Sequence, residues 1–432
     1  MDINSILSGI ECSCGKMHCC DIGYVYIEAD AISRLKELCQ KETDILLVAD
    51  ENTFSAAGEK VENALYGKNI KKVIFSGDTL LIPDEEAIKR VRDELSGTEL
   101  ILGVGSGVIQ DLCKYVAFFA KIPYIIVATA PSMDGYASDG AAMILNGMKE
   151  TVKAGLPIAI IADTKVLKDA PLEMIKSGYG DIIGKFSALC DWKLSATVNG
   201  EYFCQYIYDT TCLMIKKTLN TAKKLKERDE KSIKVLMEAL IVVGIMMSFA
   251  GTSRPASGSE HHLSHFFEIV GIVNAEPYFP HGIDVAYSTV VTCEIRERIL
   301  KSEFPDRLYR IPRIEYIEKM KAMYKSVANG CIALQDKVGN YKADRIKIYK
   351  ELKEEIKRIL SETPSADDIV KMLAVAEIDI NEFYNLYGAE KINNAVLYAK
   401  DLKDRYTVLW LYYDLFGARL ITTNNPADAL KN

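Results

Sequence analysis

From Ala31 to Ala170 short apolar runs alternate with segments of helical period. Asp44–Asp50 (DILLVAD), Lys72–Phe75, Glu99–Val104, Tyr124–Val127 and Pro157–Ala162 read as strands, apolar throughout and bounded by polar or turn residues. A strand with no polar face is buried on both sides, as in a parallel sheet covered by helices. Ala31–Gln40, Ala56–Tyr66, Asp84–Leu95 and Val108–Ala120 supply those helices, and Ala141–Lys153 reads as a polar hairpin. The alternation predicts an α/β domain whose ligands sit beyond the carboxyl ends of the strands, near Asp50, Gly103–Gly107 and Thr129–Ser132.

After about Pro171 the period changes. Leu172–Leu194, Gln205–Lys226, Ser232–Phe249, His261–Val270 and Ile283–Lys301 read as helices, followed by Ile314–Asn329, Lys342–Leu360, Ala366–Ala376, Asn381–Leu386 and Ile392–Leu415. Hardly any β-rich run remains, and nothing recurs at fixed spacing. The expected organisation is therefore α/β then all-α: a Rossmann-like parallel-sheet domain over 1–170 and an all-helical domain over 171–432.

Composition narrows the classes. A formal net charge of −7 over 432 residues argues against nucleic-acid binding. Tyr115–Ala130 is interrupted by Lys121 and Pro123, and Leu236–Ala250 is short and carries Glu238, so both fall below the ~20 residues of a membrane span and read as core. No membrane insertion is expected. The opening MDINSILSGIEC lacks the basic and apolar regions of a secretory signal, which makes a cytoplasmic location the expectation. Most of the 11 cysteines are then expected to be reduced thiols. Four of them, Cys12, Cys14, Cys19 and Cys20, gather around His18. A metal knuckle and small buried thiols in a hairpin both account for that cluster, and the C-x-C start departs from the usual zinc spacing.

Four motifs carry chemistry. GVGSGVIQD (Gly103–Asp111) ends a strand, turns on glycines and opens a helix, which suits a phosphate at the helix N-terminus, although a ligand-free glycine turn is the plainer alternative. An acidic strand end at Asp50 suits an adenosine ribose and disfavours a 2′-phosphate. ATAPSMDGYASDGAAM (Ala128–Met143) follows a strand and offers Thr129, Ser132 and Asp134 at the same edge. SGYGDIIGKFSALCDW (Ser177–Trp192) sets Asp181 and Lys185 one helical turn apart, either as an ion pair or as groups facing a substrate.

The fourth motif is the densest. Four of the five histidines, His261, His262, His265 and His281, fall within 21 residues. His261 and His265 share a helix face, whereas His262, offset by about 100°, faces away. With His281 and one oxygen ligand such as Asp181, the set suits a catalytic Zn²⁺, Ni²⁺ or Fe²⁺ site with positions left open. Arg254 just upstream is a candidate for an anionic substrate group, or for a plain salt bridge.

These motifs resemble the iron-containing alcohol dehydrogenase and dehydroquinate synthase superfamily, and within it the sn-glycerol-1-phosphate dehydrogenases. The resemblance spans nearly the whole chain. It is carried by TAPSMDGYAS (Thr129–Ser138), GYGDIIGK (Gly178–Lys185), SRPASGSEHHLSH (Ser253–His265), FPHG (Phe279–Gly282) and the opening CSCGKMH (Cys12–His18). It implies a nucleotide-binding domain followed by a helical domain, with NADH or NADPH reducing dihydroxyacetone phosphate to glycerol 1-phosphate on a bound metal. By match of motif, Asp181, His261 and His281 hold the metal, His265 contacts substrate and moves protons, and Asp134 contacts substrate. Gly105, Gly107, Val108, Ile109, Gln110 and Asp111, with Thr129, Ala130, Pro131, Ser132 and Ser138, line the cofactor. Asp50 stands at its adenosine end and favours NADH. Lys185 and Arg254 are the expected partners of the substrate phosphate. A homo-oligomer of two or more copies is expected. The alternative is a dehydrogenase of glycerol or another small polyol.

Overall fold

The computed structural model describes residues 3–79, 81–145 and 148–417. A hairpin of two short strands, β1 (Ile10–Glu11) and β2 (Met17–His18), opens the chain. The main sheet follows: β3 (Tyr24–Glu28), β4 (Asp44–Asp50), β5 (Asn69–Phe75), β6 (Leu100–Gly105) and β7 (Tyr124–Ala128). An antiparallel hairpin, β8 (Gly140–Leu145) and β9 (Met148–Lys153), precedes the last strand of the main sheet, β10 (Ala159–Asp163). The six main strands pair in parallel in the order β3-β10-β7-β6-β4-β5.

The apolar runs explain both faces. Ile45, Leu47 and Ala49 join Leu102, Val104 and Ile161 in one core cluster, while Leu46 and Val48 join Ile101, Val73 and Phe75 in another. Alternate side chains of a strand point to opposite faces, so a run without polar gaps fills two cores. The predicted strands at 44–50, 99–104, 124–127 and 157–162 lie within a residue or two of β4, β6, β7 and β10. The hairpin at Ala141–Lys153 is also present, with positions 146–147 at its tip lying outside the described residues. The edge strand β3 carries no comparable signal, because buried Val25 and Ile27 alternate with exposed or half-buried neighbours.

Helices of the second half begin with α2 (Leu172–Asn199), α3 (Gln205–Leu225) and α4 (Glu230–Ala250), counting α1 as Gly107–Ala120 after β6. Then come α5 (Ser259–Asn274) and α6 (His281–Leu300), and shorter helices continue to Phe416. Contacts group the chain into two compact units, Met1–Ile182 with Asp209–Ser253, and Ile183–Tyr208 with Arg254–Asn432. The grouping does not divide at 170. Helix α2 runs unbroken from Leu172 to Asn199. Helix α4 is bound to the sheet-bearing unit, with Glu230 accepting from Thr164 Oγ1 at 2.5 Å and Ser248 Oγ donating to the Ala137 carbonyl at 3.0 Å.

Helix α4 is also longer than its apolar stretch suggested. At 21 residues it is long and apolar enough to cross a membrane, yet 78% of its most apolar window is buried within the fold. The segment read as one helix from Ile392 to Leu415 is broken. A helix ends at Tyr398, and another starts at Val408. The break is held by Gln335 Nε2, which donates to the Asp401 and Lys403 carbonyls at 3.1 and 2.9 Å, and by Asp191, which accepts from the Val408 amide at 2.8 Å.

Candidate metal and cofactor site

Strand order marks the candidate ligand edge. The chain runs from β4 outward to β5, then returns to the other side of β4 as β6. Such a reversal leaves a crevice beyond the carboxyl ends of the two strands. Asp50 ends β4, and Gly105 ends β6. Ser106, Gly107 and Val108 are only partly buried there, at the start of the 14-residue helix α1 whose free N–H groups face the same edge. Thr129 continues from β7, its amide bonded to the Gly105 carbonyl at 3.1 Å. Ala130 and Pro131 follow, with the Ala130 carbonyl accepting from Tyr136 Oη at 2.9 Å and the Ser132 carbonyl accepting from Ser177 Oγ at 3.2 Å. Ser138 turns inward, Oγ donating to the Gly135 carbonyl at 3.2 Å.

Three of the residues matched to the cofactor are packed or bonded within the fold. Ile109 is packed in the core of α1. Gln110 is fully buried and donates to the Tyr136 carbonyl at 3.1 Å. Asp111 accepts from the Ala142 amide at 3.2 Å and from Lys114 at 3.3 Å, and so ties α1 to the β8 hairpin. All three directly follow the partly buried positions 106–108. Asp50 also caps the short helix that follows β4: one oxygen accepts from the Thr53 amide at 2.8 Å.

The histidines are set by helix starts. The α5 N-terminus is anchored by Asp191, which accepts from the Ser259 amide at 2.6 Å. Two residues on, His261 and His265 project from one face, with ring centroids 6.1 Å apart. Helix α6 begins at His281, directly after Pro280. Its ring lies 5.1 Å from that of His261 and 5.6 Å from that of His265. His262 faces away, fully buried, and burial pushes its pKa well below the ordinary imidazole value, so it stays neutral.

Asp181 is fully buried on α2. Three residues later on that helix, Gly184 leaves room for α5 and α6: a Cβ there would lie 2.5 Å from Val285 and 3.4 Å from Glu260. Asp181, His261 and His281 each offer a ligand atom, and these atoms all lie within 4.8 Å of one another. One carboxylate oxygen and two imidazole nitrogens fit a divalent transition ion. Asp181 Oδ2 also accepts from the Asp134 amide at 3.0 Å, which ties the TAPSMDG loop to the ligand.

Two predicted phosphate partners are placed otherwise. Arg254 donates to Glu201 at 2.7 and 2.6 Å, to the Tyr406 carbonyl at 2.8 Å and to Ser195 at 3.2 Å. With Nε and both terminal nitrogens so engaged and the residue 3% exposed, it is a buried salt bridge and not an anion receptor. Lys185 is fully buried, its ammonium donating to the Ala256 carbonyl at 3.1 Å. Its charge also favours the ionised form of Glu260.

Glu260 escaped the sequence reading. Its Oε1 lies 2.7 Å from His261 Nδ1 and accepts from the Gly258 amide at 2.8 Å, and burial raises its pKa above the ordinary carboxyl value. The only signal was an acid directly before the histidine pair, which in a helix would ordinarily project elsewhere.

A family model for iron-containing alcohol dehydrogenases matches residues 26–171. The chain is 35% identical over 289 residues to a glycerol-1-phosphate dehydrogenase [NAD(P)+] of Halalkalibacterium halodurans, covering 65% of this chain and 72% of that one. It is 32% identical over 318 residues to the protein of the same name from Bacillus velezensis, covering 71% and 78%. Among solved structures, a probable glycerol dehydrogenase from Sinorhizobium meliloti superposes with a TM-score of 0.59 at 16% identity, over 95% of this chain and 96% of that one. An iron-containing alcohol dehydrogenase from Thermococcus thioreducens gives 0.58 at 14% identity, over 94% and 96%. At such identities the structural likeness speaks for the fold alone.

Proposed function

The chain belongs to the glycerol-1-phosphate dehydrogenase family within the iron-containing alcohol dehydrogenases, and from that membership we propose that it reduces dihydroxyacetone phosphate to sn-glycerol 1-phosphate with NADH on one divalent ion held by Asp181, His261 and His281. It is an NAD(P)-dependent oxidoreductase of this type. The observation that carries the reading is the convergence of those three ligand atoms within 4.8 Å, with the His265 ring 5.6 Å from that of His281.

The ion, when bound, supplies a Lewis acid for the substrate's ketone oxygen. The chain's own groups do the rest. Glu260, whose Oε1 lies 2.7 Å from His261 Nδ1, would hold the proton there and leave Nε2 for the ion. His265 delivers the proton that the product oxygen gains, directly or through water. Asp134, whose amide is fixed on Asp181, orients the substrate hydroxyl. The turn Gly105–Val108 at the start of α1, with Thr129 and Ser132 alongside, would hold the cofactor pyrophosphate. Asp50 at the end of β4 accepts from the adenosine ribose and repels a 2′-phosphate, so NADH is preferred over NADPH. Zn²⁺, Ni²⁺ and Fe²⁺ all suit the donor set.

The test follows NADH absorbance with dihydroxyacetone phosphate and, separately, with dihydroxyacetone, using chelator-stripped protein restored with Zn²⁺, Ni²⁺ or Fe²⁺ in turn. Metal-dependent oxidation confined to the phosphorylated ketone, with a chiral assay returning the sn-1 product, is the expected result. Oxidation mainly with the unphosphorylated ketone would make the protein a polyol dehydrogenase instead.

A further inference from the structure

The opening hairpin cannot hold itself. Strands β1 and β2 have two residues each, and an isolated hairpin of that length is unstable in water. Between them Cys12–Ser13–Cys14–Gly15 makes a tight turn, with the Gly15 amide bonded to the Cys12 carbonyl at 2.9 Å and Gly15 at φ +84°. The turn brings Cys14 Sγ to 3.4 Å from Nε2 of His18, whose ring stacks on Phe249 of α4 at 5.2 Å between centroids. A fourth group reaches the same point. Cys204 is fully buried, and its carbonyl accepts from the Tyr208 amide at 3.1 Å, so it belongs to the first turn of α3. Cys12, Cys14, His18 and Cys204 each offer a ligand atom, all within 4.8 Å of one another.

We propose that Cys12, Cys14, His18 and Cys204 bind a structural zinc ion, a second metal site apart from the Asp181–His261–His281 set. Zinc bonds thiolate sulfur at ~2.3 Å and imidazole nitrogen at ~2.0–2.1 Å, so in a tetrahedron those two atoms stand about 3.5 Å apart. The Cys14–His18 separation of 3.4 Å has that value. Three thiolates and one imidazole fill all four positions and leave none for substrate, which makes the site structural. Its work is to fasten the hairpin, whose strands have two residues each, to the start of α3. Cys19, which is exposed, takes no part, and the ligands are not the four clustered cysteines but two of them with one nearly two hundred residues away. The inference is independent of the substrate and mechanism proposed above.

Cobalt tests it, because only a thiolate set gives an intense sulfur-to-cobalt charge-transfer band in the near ultraviolet. Full-length protein stripped with chelator and restored with Co²⁺ is expected to show the band. The double variant Cys12→Ser, Cys14→Ser is expected to lose it while still taking up cobalt at the oxygen and nitrogen site, and Cys19→Ser is expected to keep it. No band in the unsubstituted chain, or a band that survives the double substitution, overturns the proposal, as does a disulfide among these cysteines found by counting thiols in denatured, unreduced protein. Should the double variant not fold, an organomercurial titration of the unsubstituted zinc protein decides. Zinc release is expected to track modification of Cys12, Cys14 and Cys204 identified by mass spectrometry, and release without their modification overturns the assignment.

Discussion

Glu260 Oε1 stands 2.7 Å from Nδ1 of His261, its immediate neighbour in the chain. Adjacent helical residues point about 100° apart, so the contact requires the Glu260 side chain to fold back along the helix start. It is held there by the Gly258 amide at 2.8 Å and by complete burial. A carboxylate behind a ligand histidine fixes the tautomer and raises the basicity of the coordinating nitrogen. Glu260→Ala is therefore expected to weaken metal binding by about 10–100-fold, and Glu260→Gln, which still accepts from Nδ1–H, by less. Competition with a chelating dye measures both. Unchanged affinity in the alanine variant would remove Glu260 from the site.

The two helix-face histidines are expected to separate by role. His261→Ala is expected to lose the metal, read by elemental analysis of the purified variant. His265→Ala is expected to keep it and lose turnover by about 10²–10⁴-fold, the range of a lost proton donor. Full metal content in the first variant, or full turnover in the second, would reverse the assignment.

Arg254 is expected to matter for stability and not for substrate. Arg254→Ala leaves a carboxylate of Glu201 without its partner at 2.6 Å and should cost about 2–4 kcal/mol in chemical denaturation. KM for the phosphorylated ketone should hardly change. A large rise in KM at unaltered stability would return Arg254 to the substrate phosphate.

Gly178 marks where α2 meets the loop after β7. A Cβ at that position would lie 1.9 Å from the Pro131 carbonyl oxygen, a backbone atom that cannot step aside cheaply. Gly178→Ala is expected to lower stability by about 3 kcal/mol and to weaken NADH binding, since Pro131 and Ser132 must shift. A melting temperature equal to that of the unsubstituted protein would contradict the packing.

Glu294 on α6 supplies a pH dependence away from the metal. Burial and the nearby Glu297 raise its pKa from the ordinary 4.5 to about 7. The folded state therefore favours the protonated acid. Its ionisation costs nothing below about pH 4.5, grows costly as pH rises, and reaches its full penalty above about pH 7. Glu294→Gln should leave stability unchanged at pH 4 and raise it by ~1–3 kcal/mol at pH 8. Equal effects at both pH values would contradict the shift.

The sheet and the helix starts were legible because each rests on local pattern. DILLVAD spells a strand buried on both faces, and β4 occupies those same seven residues. The pair His261 and His265 shares a helix face by spacing alone, and their rings stand 6.1 Å apart. The limits appear where a side chain's partner is distant in sequence. Arg254 looks like an anion receptor until Glu201, Ser195 and Tyr406 arrive around it. Gln110 and Asp111 continue a glycine-rich turn, yet the turn of α1 sends them toward Tyr136 and the β8 hairpin. The cysteine cluster was read among near neighbours, whereas Cys204 comes to it from the start of α3.

By itself, then, the sequence determined the parallel sheet, its glycine turn at the carboxyl edge, and the donor types available for a metal. These follow from periodicities of two and 3.6 residues and from a concentration of histidine. Only the tertiary structure decided which buried charges are spent on one another, that Glu260 steadies His261, and which cysteines meet His18. Those outcomes depend on desolvation and on contacts between segments up to two hundred residues apart, and no local pattern carries that information.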